Sequence, residues 1–178
     1  IGGLAGDALT DADHNIAIGV SALGADTQGS KSVAIGKAAL ENQNFSSATD
    51  SFNTAVGYEA GNDITTGTYN TLIGGVAGDA LTVGANNVAV GRASLSSDTK
   101  GSSSVAIGRN ALVTQNFTSA TDSYNTAVGD KAGAGVTTGV QNTFLGGLTG
   151  GDSTFTGNNN TIVGYAAGFN LTSGGNNL

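Results

Sequence analysis

Ser32-Val33-Ala34-Ile35-Gly36, Asn53-Thr54-Ala55-Val56-Gly57 and Asn87-Val88-Ala89-Val90-Gly91 are three copies of one glycine-ended motif. The motif glycine recurs ten times, at Gly2, Gly19, Gly36, Gly57, Gly74, Gly91, Gly108, Gly129, Gly146 and Gly164. Successive glycines stand 17, 17, 21, 17, 17, 17, 21, 17 and 18 residues apart. A near-constant short period along a whole chain marks a solenoid. A segment this short cannot bury a core alone, so neighbouring coils must stack. Each coil has room for two strands of about five residues and two bends. Stacked at about 4.8 Å per coil, ten coils make a rod of roughly 45–50 Å.

A longer period lies over the short one. Residues 1–72 align without a gap on residues 73–144, with roughly 60% identity, as expected from duplication of a four-coil unit. Ile1-Gly2-Gly3-Leu4-Ala5-Gly6-Asp7-Ala8-Leu9-Thr10 returns as Ile73-Gly74-Gly75-Val76-Ala77-Gly78-Asp79-Ala80-Leu81-Thr82. The chain therefore reads as a single β-solenoid fragment of 72-residue units: 1–72, 73–144 and a partial 145–178. Neither end looks like the atypical capping coil of a natural solenoid, and the chain contains no Met. Both ends are expected to be cut from something longer.

The composition suits a regular β assembly. There are 30 Gly, no Pro, Cys, Met or Trp, and 11% charged residues, against about 25% in ordinary globular proteins. The surface must be made largely of Ser, Thr, Asn and Gly. The formal charge is −7, and the six cations are scattered, so no basic tract exists to neutralise phosphates. No apolar run approaches a membrane span. The expected chain thus binds no nucleic acid and inserts into no membrane.

Strand alternation assigns the motif side chains to two faces. The position before each glycine is aliphatic: Ile18, Ile35, Val56, Ile73, Val90, Ile107, Val128, Leu145 and Val163. These are expected to form the structural core. Two residues earlier, every side chain is β-branched, which suits a packed strand. The intervening position carries Ala17, Ala34, Ala55, Leu72, Ala89, Ala106, Ala127, Phe144 and Ile162. A water-facing position has no reason to stay apolar nine times out of nine, so this set is read as a second buried face between chains. The glycine is read as a positive-φ corner or a site of close approach by the next coil. Asn15, Asn53, Asn70, Asn87, Asn125, Asn142 and Asn160, interrupted by Ser32 and Ser104, are expected to stack as an amide ladder.

Ser-Val-Ala-Ile-Gly and Asn-Thr-Ala-Val-Gly-Tyr-Glu-Ala-Gly resemble the repeats of two related sets of proteins. One is the head domain of trimeric autotransporter adhesins; the other is the repeat region of bacteriophage tail-fibre proteins. The form at Tyr58-Glu59-Ala60-Gly61 and Tyr165-Ala166-Ala167-Gly168 is nearer the tail-fibre set. The resemblance implies an all-β, left-handed parallel β-roll of about ten turns of 17, occasionally 21, residues, packed as a homotrimer. It also implies an extracellular location, on a virion tail fibre or a bacterial cell surface.

The two 21-residue coils carry nearly the same inserted text, from Gln43 to Phe52 and from Gln115 to Tyr124. Aromatic rings beside Asn and Asp suit a cell-surface glycan, with rings stacking and polar groups orienting. Asn44, Phe45, Asp50, Phe52, Asn116, Phe117, Asp122 and Tyr124 are the candidate binding residues. The competing expectation is that the rings pin the longer loop to the body. Asp11-Ala12-Asp13-His14 holds the only histidine and reads as a surface turn. No catalytic constellation, calcium-loop spacing or phosphate loop is present. No catalytic residue, metal site or cofactor is therefore expected.

The expected function is a structural fibre segment of a trimeric tail fibre or surface adhesin, a non-enzymatic cell-adhesion or viral protein. It would attach to a glycan or protein receptor through many weak contacts. The alternatives are an ice-binding β-solenoid and a solenoid polysaccharide-degrading enzyme. The Thr row counts against ice binding, because it shares a face with the aliphatics expected to point inward.

Overall fold

A computed structural model describes residues 2–177; Ile1 and Leu178 lie outside the described residues. The chain is a parallel β-solenoid with about 17 residues per coil and no helix among the described residues. Nine strands stack in one parallel sheet: β1 (Ile16–Ile18), β3 (Val33–Ile35), β5 (Thr54–Val56), β6 (Thr71–Ile73), β7 (Val88–Val90), β9 (Val105–Ile107), β11 (Thr126–Val128), β12 (Thr143–Leu145) and β13 (Thr161–Val163). Like motif positions pair throughout, for example Ala34 with Ala55 and Leu72 with Ala89. The long coils add two small parallel pairs. These are β2 (Gly29–Ser30) with β4 (Thr49–Asp50), and β8 (Gly101–Ser102) with β10 (Thr121–Asp122).

The motif glycines form one wall of the rod. Their φ angles run from +125° to +153°. From Gly2 to Gly146, a Cβ would lie 2.2–2.7 Å from the carbonyl oxygen of the next motif glycine. Each corner therefore requires both positive φ and the absence of a side chain. The glycine amide donates back to the preceding coil, as in Gly36 N to Ile18 O at 2.7 Å and Gly57 N to Ile35 O at 2.8 Å.

The two strand faces are exchanged relative to the sequence expectation. Ala34, Ala55, Leu72, Ala89, Ala106, Ala127 and Phe144 are fully buried inside the coil, with Ala17 and Ile162 packed against the same core at the ends. These residues cannot form an inter-chain face. Ile18, Ile73, Ile107, Leu145 and Val163 are exposed, and Ile35, Val56, Val90 and Val128 are half-buried, so none of the nine belongs to the core.

The physical reason is the thinness of the coil. Leu23, Leu40, Leu95 and Leu112 enter the interior from the opposite wall, four residues after the motif glycine. Facing them, the sheet can supply only alanine. Where two successive coils carry glycine at that opposite position, the sheet supplies bulk. Leu72 fills the space before two glycines: a Cβ on Gly61 or Gly78 would meet its methyls at 2.7 and 2.8 Å. Phe144 does the same before Gly133 and Gly150, at 3.0 and 2.6 Å, and meets Phe155 edge-on at 5.7 Å. The four leucines adopt φ between +50° and +54°. That backbone costs about 1–2 kcal/mol for an L residue, offset by complete burial of each side chain.

The amide ladder is present. Asn70 accepts the Asn87 amide N–H on Oδ1 at 3.0 Å and donates Nδ2 to the Gly84 carbonyl at 2.9 Å. Asn53, Asn87, Asn125, Asn142 and Asn160 bond the following coil in the same way. Each side chain satisfies backbone groups that the narrow interior hides from water.

Two outcomes are expected in thermal unfolding followed by circular dichroism. Gly91→Ala, whose Cβ would sit 2.6 Å from the Gly108 carbonyl oxygen, loses about 4 kcal/mol or more. Leu72→Ala loses about 2–5 kcal/mol. Adding Leu72→Ala to Gly78→Leu partly restores that variant, with a coupling of about 1–3 kcal/mol. Simple additivity of the two changes would disprove the volume exchange across the coil.

Candidate functional site

Each long coil and the coil before it bury a polar layer that the sequence reading passed over. Asp26 and Gln43, seven residues after their motif glycines, occupy the interior place taken by Ile64 and Leu81 elsewhere. Gln43 Nε2 donates to Asp26 Oδ2 at 2.6 Å and to Ser32 Oγ at 2.9 Å; Gln43 Oε1 accepts from Asn53 Nδ2 at 2.8 Å. Ser32 and Ser51 share a short hydroxyl hydrogen bond. Asp26 Oδ1 accepts the Gly29 amide N–H at 2.9 Å. The same layer recurs at Asp98, Gln115, Ser104, Ser123 and Asn125. The serines that interrupt the amide ladder are therefore members of this network, with Gln43 and Gln115 supplying the missing amides. The signal was legible: Asp and Gln alternate with Ile, Leu and Val at one fixed distance from the motif glycine.

This layer divides the candidate binding residues. Phe45 and Phe117 are only 6% exposed and pin the inserted loop to the body, so they offer no ring to a ligand. Asn44, Asp50, Phe52, Asn116, Asp122 and Tyr124 are exposed. Asn44 and Asn116 are tied to the preceding coil, accepting from Thr27 Oγ1 at 3.1 Å and Thr99 Oγ1 at 3.0 Å. His14, Asp11 and Asp13 lie on an exposed turn.

Phe52 belongs to a ladder of side chains at the left-handed position before each ladder Asn or Ser. Lys31, Phe52 and Tyr69 follow one another on successive coils. The Phe52 and Tyr69 rings stack at 5.3 Å and 15°. The Lys31 ammonium lies 5.1 Å from the Phe52 centroid and 2.6 Å from Asp50 Oδ2. Both faces of Phe52 are thus occupied from within the chain. Other surface pairs also link neighbouring coils: Arg109 with Asp130 at 2.8 Å and Lys131 with Asp152 at 3.2 Å.

The outer face of the nine-stranded sheet is partly exposed, with Ile16, Ile18, Ile73, Ile107, Leu145 and Val163 open to solvent. It carries two side chains from each strand, all Ile, Val, Leu or Thr, and not one charge. Thr54, Thr71, Thr126, Thr143 and Thr161 point outward on it, beside the aliphatics and not into the core. Sequence reading found both columns but turned them inward.

Asp79 is half-buried, and its Oδ1 has no hydrogen-bond partner among the described residues. Burial chiefly pushes its carboxyl above the ordinary value. The backbone N–H groups of Asp79 and Ala80 oppose the rise, and the charges of Asp63 and Glu59 add to it.

No protein-family model matches the chain, and neither a curated protein nor a solved structure matches it. The class defined by the geometry is the parallel β-solenoid with a thin, glycine-walled coil.

Because folding raises the Asp79 pKa, its charge opposes folding at neutral pH. Asp79→Asn is expected to raise the melting temperature at pH 7 by about 1–3 °C. The gain shrinks as pH falls and disappears below the ordinary value of 3.8, where the acid is neutral in both states. A gain that persists unchanged at pH 3 would refute this assignment.

Proposed function

We propose that the chain is a non-catalytic, structural segment of an extracellular trimeric fibre, a left-handed β-roll of the tail-fibre or surface-adhesin kind. The observation that carries this reading is the charge-free outer sheet face. Nine strands at about 4.8 Å make a flat apolar strip roughly 38 Å long. Contiguous apolar surface of this extent on a chain rich in Ser, Asn and Gly marks a contact between molecules. The occupant is two further copies of the same chain, with three such faces meeting around the fibre axis. The face between chains is then formed by the aliphatics expected in the core, while the small residues expected between chains fill the core. The polar outer loops, including the exposed parts of 43–52 and 115–124, are left to meet a host or cell surface, where three chains multiply weak contacts.

One observation favours a second reading. The outward column of Thr54, Thr71, Thr126, Thr143 and Thr161 with Ile16, Val33, Val88 and Val105, beside a regular aliphatic column, is also the kind of surface that would order water in an ice-binding solenoid. The two readings use the same face and exclude one another.

Light scattering at several concentrations separates them. The expected mass is three times the 17.3 kDa chain. Ile73→Lys with Val90→Lys is expected to give a monomer with an unchanged circular dichroism spectrum. A wild-type monomer at all concentrations rules out the trimer, and thermal hysteresis in that monomer would establish the ice-binding alternative.

A further inference from the structure

The two four-coil units carry an internal comparison at one surface position. In the first unit the Lys31 ammonium lies between two side chains, 2.6 Å from the Asp50 carboxylate and 5.1 Å from the Phe52 ring centroid. The 72-residue period places Ser103, Asp122 and Tyr124 at the corresponding positions of the second unit. The backbone is the same in both. Ser30 pairs with Asp50 as Ser102 pairs with Asp122. Lys31 and Ser103 have φ of 61° and 62°, and Phe52 and Tyr124 both have 49°. Lys31 N donates to the Asp13 carbonyl at 2.9 Å and Ser103 N to the Ala85 carbonyl at 3.0 Å.

What differs is the occupant. Ser103 cannot reach where the lysine ammonium lies. Asp122 has no ion pair among the described residues, and Tyr124 has no ring or cation contact among them. Tyr69, which covers the far face of Phe52, is replaced by Gln141. Tyr124 is 56% exposed against 44% for Phe52. The nearby cation, Lys100, donates to the Thr118 carbonyl at 3.3 Å and makes no ion pair with Asp122.

We propose that Asp122 and Tyr124, with Ser103 beneath them, form a binding site for an organic ammonium group. The carboxylate supplies the opposite charge, and the phenol ring supplies the negative face of its quadrupole. With serine at position 103, no ammonium of the chain pairs with Asp122 or lies over Tyr124 among the described residues. Amino sugars and choline-type headgroups carry that chemistry on cell surfaces. The proposal deepens the reading of loop 115–124 as a surface-contact region and does not depend on the trimer. One exposed ion pair and one cation–π contact give weak binding at a single site. Its usefulness in a fibre comes from repetition over chains.

The test is an NMR titration of the full chain with choline chloride and, separately, with glucosamine, at constant ionic strength. Glucose serves as the neutral control. Saturable shifts at the amides of Ser103, Asp122 and Tyr124, with a Kd of about 10–100 mM, and none with glucose, are expected. Whichever probe binds tighter assigns the source as headgroup or amino sugar. Ser103→Lys copies the first unit, so it folds, and it is expected to weaken binding at least tenfold by placing the chain's own ammonium between Asp122 and Tyr124. Asp122→Asn weakens binding similarly, and Lys100→Gln strengthens it by removing a repelling charge. Absence of saturable shifts with both probes overturns the proposal. Binding that survives intact in Ser103→Lys overturns it as well. A monomeric chain that still binds through these residues would refute the fibre reading alone.

Discussion

The separation between the two walls of a single coil controls the rest of this molecule. Motif glycines let the backbone of one coil press against the carbonyl of the next, with no room for a Cβ. The coil between them is then so thin that bulk on one wall must be matched by a small residue on the other. A leucine from one wall demands alanine from the other, and Leu72 or Phe144 demands glycine on two successive coils. Close packing without voids is the ordinary state of protein interiors. Here it operates between neighbouring coils, because Leu72 and Phe144 each fill space before glycines of two successive coils.

A core this narrow cannot hide many backbone polar groups unaided. The amide ladder meets that need along one edge, each asparagine bonding the next coil's N–H and a glycine carbonyl. In the coil before each long one the ladder changes to serine, and the Asp26–Gln43 and Asp98–Gln115 pairs, which join that coil to the long one, take over. These carboxylates are fully buried, yet their oxygens accept N–H groups from the loop they anchor. Buried polar side chains are tolerable when their hydrogen bonds are complete. The insertion is thus tied to the core by its own polar residues and by Phe45 or Phe117, while its remaining side chains face water.

Turning the small residues inward places the branched aliphatics and threonines outside, and this inversion gives the molecule a charge-free outer sheet face. The duplication then supplies a second kind of information. Two copies of one surface, alike in backbone and different in a few side chains, show which contacts the scaffold requires and which it leaves open. The polar layer is kept residue for residue between the units. The Lys31 position is not, and its loss exposes a carboxylate and a ring that the first unit keeps engaged.

The sequence by itself determined the architecture. Spacing of the motif glycines requires stacked coils, β-branched alternation requires strands, and the recurring Asn requires a ladder. Those conclusions rest on backbone geometry and short-range spacing, which a linear chain displays. It also showed that both strand faces avoid charge, but not which one faces in. That choice depends on the distance to the opposite wall and on Leu23, Leu40, Leu95 and Leu112 occupying it, in a left-handed conformation that local propensity disfavours. Likewise Phe45 and Phe52 look equivalent in the text of the loop. Only the tertiary structure buries one ring and places the other beneath a lysine, because both partners come from other coils.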